Sequence, residues 1–277
     1  MREPDRPRSS PLPGAPSADR SAYLRRLRRD RRLITAGRVL VLLLFALLWE
    51  GAAQLGWIDG FIFSSPSRIF TTALELAQSG ELWLHVGVTL YETVLGFVIG
   101  TALGILAAVW LWWCPRAAKI ADPYLVILNS LPKIALGPVI IVWMGTGTAA
   151  IVTIAVLVSV VVATTSIATG FFEVDPQQLL LLRSLGATKF QQLTMVVLPA
   201  SVPTMVSALK LSVGMSWVGV IVGEFLISRA GLGYLIVYGG QVFKLDIVMA
   251  GVVILCLLSA LMYYAVAWFE KKAGRRR

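Results

Sequence analysis

The sequence predicts an all-α membrane protein, a polytopic helical bundle with about six transmembrane helices, and three observations carry that expectation. Of 277 residues, 57% are hydrophobic and only 14% charged, about half the charge of an ordinary soluble domain. The apolar residues gather into runs long enough to cross about 30 Å of hydrocarbon. The basic residues fall in alternate connections between those runs, as they do when one side of a bilayer retains Lys and Arg.

Residues 1–38 carry eleven Arg against Glu3, Asp5, Asp19 and Asp30, a net +7 of the chain's formal +10. Pro, Ser and Arg dominate the first twenty positions, a composition that cannot bury a core and predicts disorder. Beside a first span, such a basic run is an orientation signal touching anionic membrane lipid rather than a nucleic-acid site. It is not a cleavable signal peptide, because the apolar run starts late and no small-residue cleavage site follows it.

Spans are expected at 39–53, 90–113, 124–143, 149–171, 206–226 and 245–268. Glu50 limits the first. Residues 81–91 are expected to run partly along the outer surface before the second span, and 231–242 to form a short re-entrant or surface helix before the last. Trp110, Trp112, Trp113, Trp143, Trp268, Tyr263 and Tyr264 lie near span ends, where amphipathic rings prefer the headgroup region. With six spans, the N-terminal tail, Arg116 and Lys119, Arg183 and Lys189, and the basic C-terminal tail share one side. The opposite connections hold Arg68, Arg229 and Lys244, balanced by Asp59, Glu75, Glu81 and Asp246. Both termini are therefore expected in the cytoplasm, in a multi-pass cell-membrane protein.

The stretch from Asp175 to Pro203 interrupts the apolar pattern. Asp175 suits an N-cap with Pro176 at the first helical position, and Gly186 suits the left-handed residue that closes a helix. Thr188 and Gln191 have capping-box spacing, Phe190, Leu193, Val196 and Val197 form an apolar stripe, and Pro199 is expected to end the second helix. Two short helices with a sharp corner make a docking knob on the cytoplasmic side.

Gly186, nine intervening residues, then Val196, Leu198 and Pro199 resemble the cytoplasmic loop of ATP-binding-cassette importer permeases of the type I transmembrane fold. Residues 64–70 (SSPSRIF), 80–83 (GELW), 122–147 (DPYLVILNSLPKIALGPVIIVWMGTG) and 217–236 (WVGVIVGEFLISRAGLGYLI) extend the resemblance over most of the chain. Together they look like the nitrate, sulfonate, taurine and bicarbonate branch. One departure is visible: Leu180, Leu181 and Leu182 stand where the family usually has Glu-Ala-Ala. The resemblance implies a coupling loop at 171–203, with Arg183, Gly186, Ala187, Thr188, Val196, Leu198 and Pro199 meeting a partner ATPase. It also implies a second permease protomer, as a homodimer, and an extracytoplasmic solute-binding protein. The domain division expected is a basic tail over 1–38, a first span with its outer connection over 39–83, the transmembrane domain over 84–270 and a basic tail over 271–277.

No cofactor or metal is expected in this chain. Cys114 and Cys256 have no paired spacing, His85 is the only histidine, and no G-x-x-x-x-G-K-[ST] occurs, so ATP would be used by a partner. Gly145, Gly147, Gly231 and Gly233 are read as turn or packing glycines. Ionisable and polar groups at membrane depth mark the candidate path, because such groups usually face a cavity or a partner. Lys133, between Pro132 and Pro138, and Glu224 are the leading pair, with Asn129 and Ser216, and also Ser130 and Ser212, behind them. Glu92 is expected at the interface. An enzyme would need convergent His, Asp, Cys or Ser groups that the chain lacks. The function expected is therefore the permease subunit of an ATP-driven, binding-protein-dependent importer for a small anion such as a sulfonate, taurine or nitrate. The same machinery serving a pyrimidine or flavin precursor, or a secondary transporter, is the alternative.

Overall fold

A computed structural model describes residues 18–274; of the first twenty positions, expected to be disordered, 1–17 lie outside the described residues, as do the last three of the chain, whereas 18–20 begin a helix. The chain forms two compact units, Met1–Gly60 and Phe61–Arg277. In the first, helix α1 runs over Ala18–Gln54 and contains an apolar stretch long enough to span a bilayer, Arg32–Gln54. A single turn, α2, covers Gly60–Phe63.

The second unit opens with α3, Pro66–Gln78, capped by the Ser65 side chain. Arg68 and Ser64 both bind Asp246, at 2.7 and 2.6 Å, and so tie this helix to the start of α12. Helix α4 runs without a break over Glu81–Trp113. At 1.5 Å per residue it is about 50 Å long, well beyond the hydrocarbon thickness. Residues 81–91 therefore form its first turns rather than a surface segment. Their buried members, Leu82, His85 and Thr89, continue the spacing of the buried face below them.

The expected span at 124–143 is instead a bent pair. Helix α5, Pro115–Ser130, and the segment Lys133–Met144 meet at 86°. Pro132 causes the break: it forces Leu131 into an extended conformation (ψ 133°) and has no N–H to continue the helix. A 3₁₀ turn at Lys133–Leu136 leads into α6, Gly137–Met144. Counting this pair as one, six segments are long and apolar enough to span a membrane among the described residues.

Helix α7, Thr148–Phe172, is the centre of the second unit. Two short helices follow, α8 (Pro176–Ser184) and α9 (Lys189–Gln192). A π turn, Leu193–Val197, then runs directly into α10, Leu198–Ile227. Pro199 thus does not end the helix as expected. It lies just after the π turn within a continuous helical stretch, Lys189–Ile227, where the widened backbone accommodates the ring and the missing N–H. Helix α11, Leu232–Gln241, and helix α12, Leu245–Gly274, complete the chain.

Small residues let these helices approach. A Cβ on Gly96 would lie 2.7 Å from Ala155 Cβ, and one on Gly219 2.5 Å from Ala155 Cα. Gly100 and Gly104 meet Ser159 and Ala163 in the same way. Helix α7 is therefore held close to α4 and α10 at small residues, with Ile151, Ile167 and Phe171 buried beside them, a packing mode favoured where lipid competes for apolar surface.

Candidate functional site

Two sites stand at opposite ends of the second unit. The first is the corner at 175–198. Asp175 accepts the Gln177 N–H at 2.8 Å, with Pro176 at the head of α8. At the other end of α8, Gly186 adopts φ +78°; its N–H reaches Arg183 O at 3.0 Å, and the Ala187 N–H reaches Leu182 O at 2.9 Å. These two bonds make a complete Schellman closure. Helix α9 starts with the expected capping box: the Thr188 N–H donates to Gln191 Oε1 at 2.7 Å and the Gln191 N–H to Thr188 Oγ1 at 3.3 Å.

Gln192, which the sequence did not single out, locks the two helices together. It is buried, its amide donates to Ala187 O at 3.2 Å, and its Oε1 accepts from Arg183 Nε at 3.5 Å. Leu193 and Val197 bury their side chains with Trp112, Ile167 and Phe171, fixing the corner on the ends of α4 and α7. Val196 and Leu198 pack partly against this cluster. Trp112 is thus a core residue rather than the headgroup anchor expected; Trp110, Trp113, Trp143 and Trp268 are exposed. Phe190 departs from the expected stripe and faces outward. With Leu180, Leu181, Leu185 and Met195 it gives the corner an exposed apolar surface. Lys189 reaches back to Trp113 O and lies over the Trp112 and Trp113 rings at 5.8 and 5.7 Å.

The second site is some 30 Å away along α4, counted from Trp113 to Glu92. Glu224 is buried at 1% exposure. Its Oε1 accepts from Thr89 Oγ1 at 2.7 Å and its Oε2 from the Gly233 N–H at 2.5 Å. Thr89 Oγ1 in turn accepts the Leu232 N–H at 2.7 Å, and His85 Nδ1 accepts the Gly231 N–H at 3.0 Å. Three successive backbone donors at the head of α11 are therefore satisfied by side chains from α4 and α10. An unpaired helix start inside a bundle is costly, and this arrangement removes the cost. Gly231 (φ +116°) and Gly233 are needed here because a Cβ on either would collide with Glu224.

Glu92 is also 1% exposed rather than interfacial, and its side chain interacts with Glu224 and Thr148. Lys133 is not brought to these acids. It stands half-buried at the α5–α6 bend, where its Nζ donates to Asn129 O at 3.2 Å and closes the end of α5. Asn129 borders a cavity of about 270 Å³ with Asp122 and Thr165. Ser130 is exposed and bonds Val126 O. Ser212 and Ser216 are fully buried on α10, and neither hydroxyl has a hydrogen-bond partner.

The family model for the binding-protein-dependent transport system inner membrane component matches residues 100–275. The chain belongs to this family. The permease is 29% identical to a probable ABC transporter permease protein of Haemophilus influenzae over 83% of its own length and 93% of the relative's. It is also 29% identical to the putative aliphatic sulfonates transport permease SsuC of Bacillus subtilis, over 81% and 82%. In fold it resembles the MetNI methionine ABC transporter in an inward-facing conformation, with a TM-score of 0.61 at 20% identity over 68% of this chain and 94% of that one. The all-α permease fold and the role of a membrane-spanning importer subunit, expected from the sequence, are thereby shown.

Proposed function

We propose that this permease couples substrate movement to ATP hydrolysis carried out by a partner subunit, through the corner formed by α8 and α9. The observation that carries the reading is the combination of rigidity and stickiness in that corner. Its helices are capped at the ends that face each other, its inner face is fixed to the bundle by Leu193 and Val197, and its outer face exposes Leu181, Leu185 and Phe190. Exposed apolar side chains on a polar, capped segment favour a protein partner. Arg183, Gly186, Ala187 and Thr188 shape the contact, while Val196, Leu198 and Pro199 anchor it.

The chain itself holds no cofactor in this reading. Two copies form the path, an extracytoplasmic binding protein delivers the solute, and the transmembrane domain begins near residue 84 with the coupling loop over 171–203. Both termini face the cytoplasm and the basic N-terminal tail lies against anionic lipid. Asn129 and Lys133 line the path, with Ser216 and Glu224 shaping its wall. The cargo is a small anion such as a sulfonate, taurine or nitrate; a half-buried lysine at a helix break suits a negative solute, and the Bacillus relative carries a sulfonate permease name.

The test is Gly186→Val. A β-branched residue is strained at positive φ, although there is open space around the site. The variant should insert normally but lose co-purification with the ATPase, or leave ATP hydrolysis unlinked to uptake. Wild-type coupling in this variant would remove the corner from the mechanism.

A further inference from the structure

A cavity of about 400 Å³ opens beside Glu92, at the end of the unit remote from the capped corner. Its lining includes Val88, Glu92, Thr146, Thr148, Ile151 and Arg229. The volume is within the range of small-molecule sites.

One acid of its lining is incompletely satisfied. Glu224 has both oxygens occupied, by Thr89 and by the Gly233 N–H. Glu92 Oε2, by contrast, is buried and has no hydrogen-bond partner. No cationic side chain pairs with either acid among the described residues. Two neighbouring buried carboxyls with no positive partner form an environment that a cation stabilises, because burial raises the cost of each uncompensated charge and strengthens its attraction to an opposite one. Arg229 also lines the cavity, is exposed and makes no ion pair among the described residues. Val88 and Ile151 supply apolar wall.

We propose that this cavity binds a small zwitterion, with its ammonium group at Glu92 and Thr148 and its anionic group at Arg229. As a transport subsite it rests on the permease reading above and narrows it: among small anions, those bearing an amino group are favoured. Nitrate and simple alkylsulfonates cannot use Glu92.

The matched probes are taurine and ethanesulfonate, which differ by the amino group. The full-length chain, with Cys114→Ser and Cys256→Ser and with Thr146→Cys as reporter, is placed in nanodiscs and labelled with a maleimide. Taurine should slow labelling at a concentration at least about tenfold lower than ethanesulfonate, the difference expected of one charge-assisted hydrogen bond. Glu92→Gln should bring the two solutes within about twofold of each other, each compared with the unliganded labelling rate of the same variant. Arg229→Gln, at an exposed position that does not support the fold, should weaken protection by both.

Equal protection by the two solutes, protection by neither, or discrimination that survives Glu92→Gln would overturn the proposal and leave Glu92 as a structural partner of Glu224. The measurement needs no ATPase. Wild-type coupling in Gly186→Val beside this protection would sink the coupling reading alone.

Discussion

Thr89 and Glu224, 135 positions apart, share a buried hydrogen bond of 2.7 Å. The same hydroxyl accepts the Leu232 N–H, and the same carboxyl accepts the Gly233 N–H. One side-chain pair therefore joins α4, α10 and the head of α11. In this chain Glu224 is a structural clamp as well as a wall of the proposed path.

Breaking the clamp should be costly. Glu224→Ala leaves the Thr89 hydroxyl without its acceptor and the Gly233 N–H unpaired; a buried polar group without a partner costs about 1–3 kcal/mol. Thermal unfolding of the purified chain should show the loss, and Thr89→Ser, which keeps the hydroxyl, should be milder. A Glu224→Ala protein as stable as wild type would mean that water or a rearranged α11 replaces these bonds.

Packing around Ala155 gives a second expectation. Since a Cβ at Gly219 would already lie 2.5 Å from the Ala155 backbone, Gly219→Val must push α10 away from α7, at about 1–3 kcal/mol or more for overpacking. Gly214 has open space around it, so Gly214→Ala should be tolerated. Equal expression and equal melting of the two variants would show that the α7–α10 contact is not close.

Lys133 carries a transport prediction. In a wet cavity its attraction for an anion is about 1 kcal/mol, so Lys133→Met should lower uptake at subsaturating substrate by about fivefold, while leaving membrane insertion and ATPase assembly intact. Lys133→Arg retains the charge and should lose less. Unchanged uptake in Lys133→Met would confine this lysine to closing the end of α5 through Asn129 O.

Topology can be read directly. Gln178 and Gln191 are exposed on the capped corner. Single cysteines at these positions should react with an impermeant reagent in inside-out vesicles and not in intact cells. Labelling of intact cells would invert the proposed orientation.

The sequence by itself determined the bundle and the capped corner. Asp175, Gly186, Thr188 and Gln191 act on backbone groups within five residues of themselves, and short-range hydrogen bonding of that kind is written in residue type and spacing. The apolar runs were equally legible, as lipid selects composition. Tertiary structure decided where a helix does not behave locally. Pro132 turns an expected span through 86°, whereas Pro199 does not end its helix, because one follows an extended Leu131 and the other follows a π turn that keeps the helix going. The close approach of Gly96, Gly100 and Gly104 to Ala155, Ser159 and Ala163 was not read from the sequence, since only the fold shows which helix receives them. Glu92 was misjudged as interfacial for the same reason. Its burial beside Glu224, and the use of His85, Thr89 and Glu224 to cap α11, depend on contacts between residues far apart in sequence, which local periodicity cannot encode.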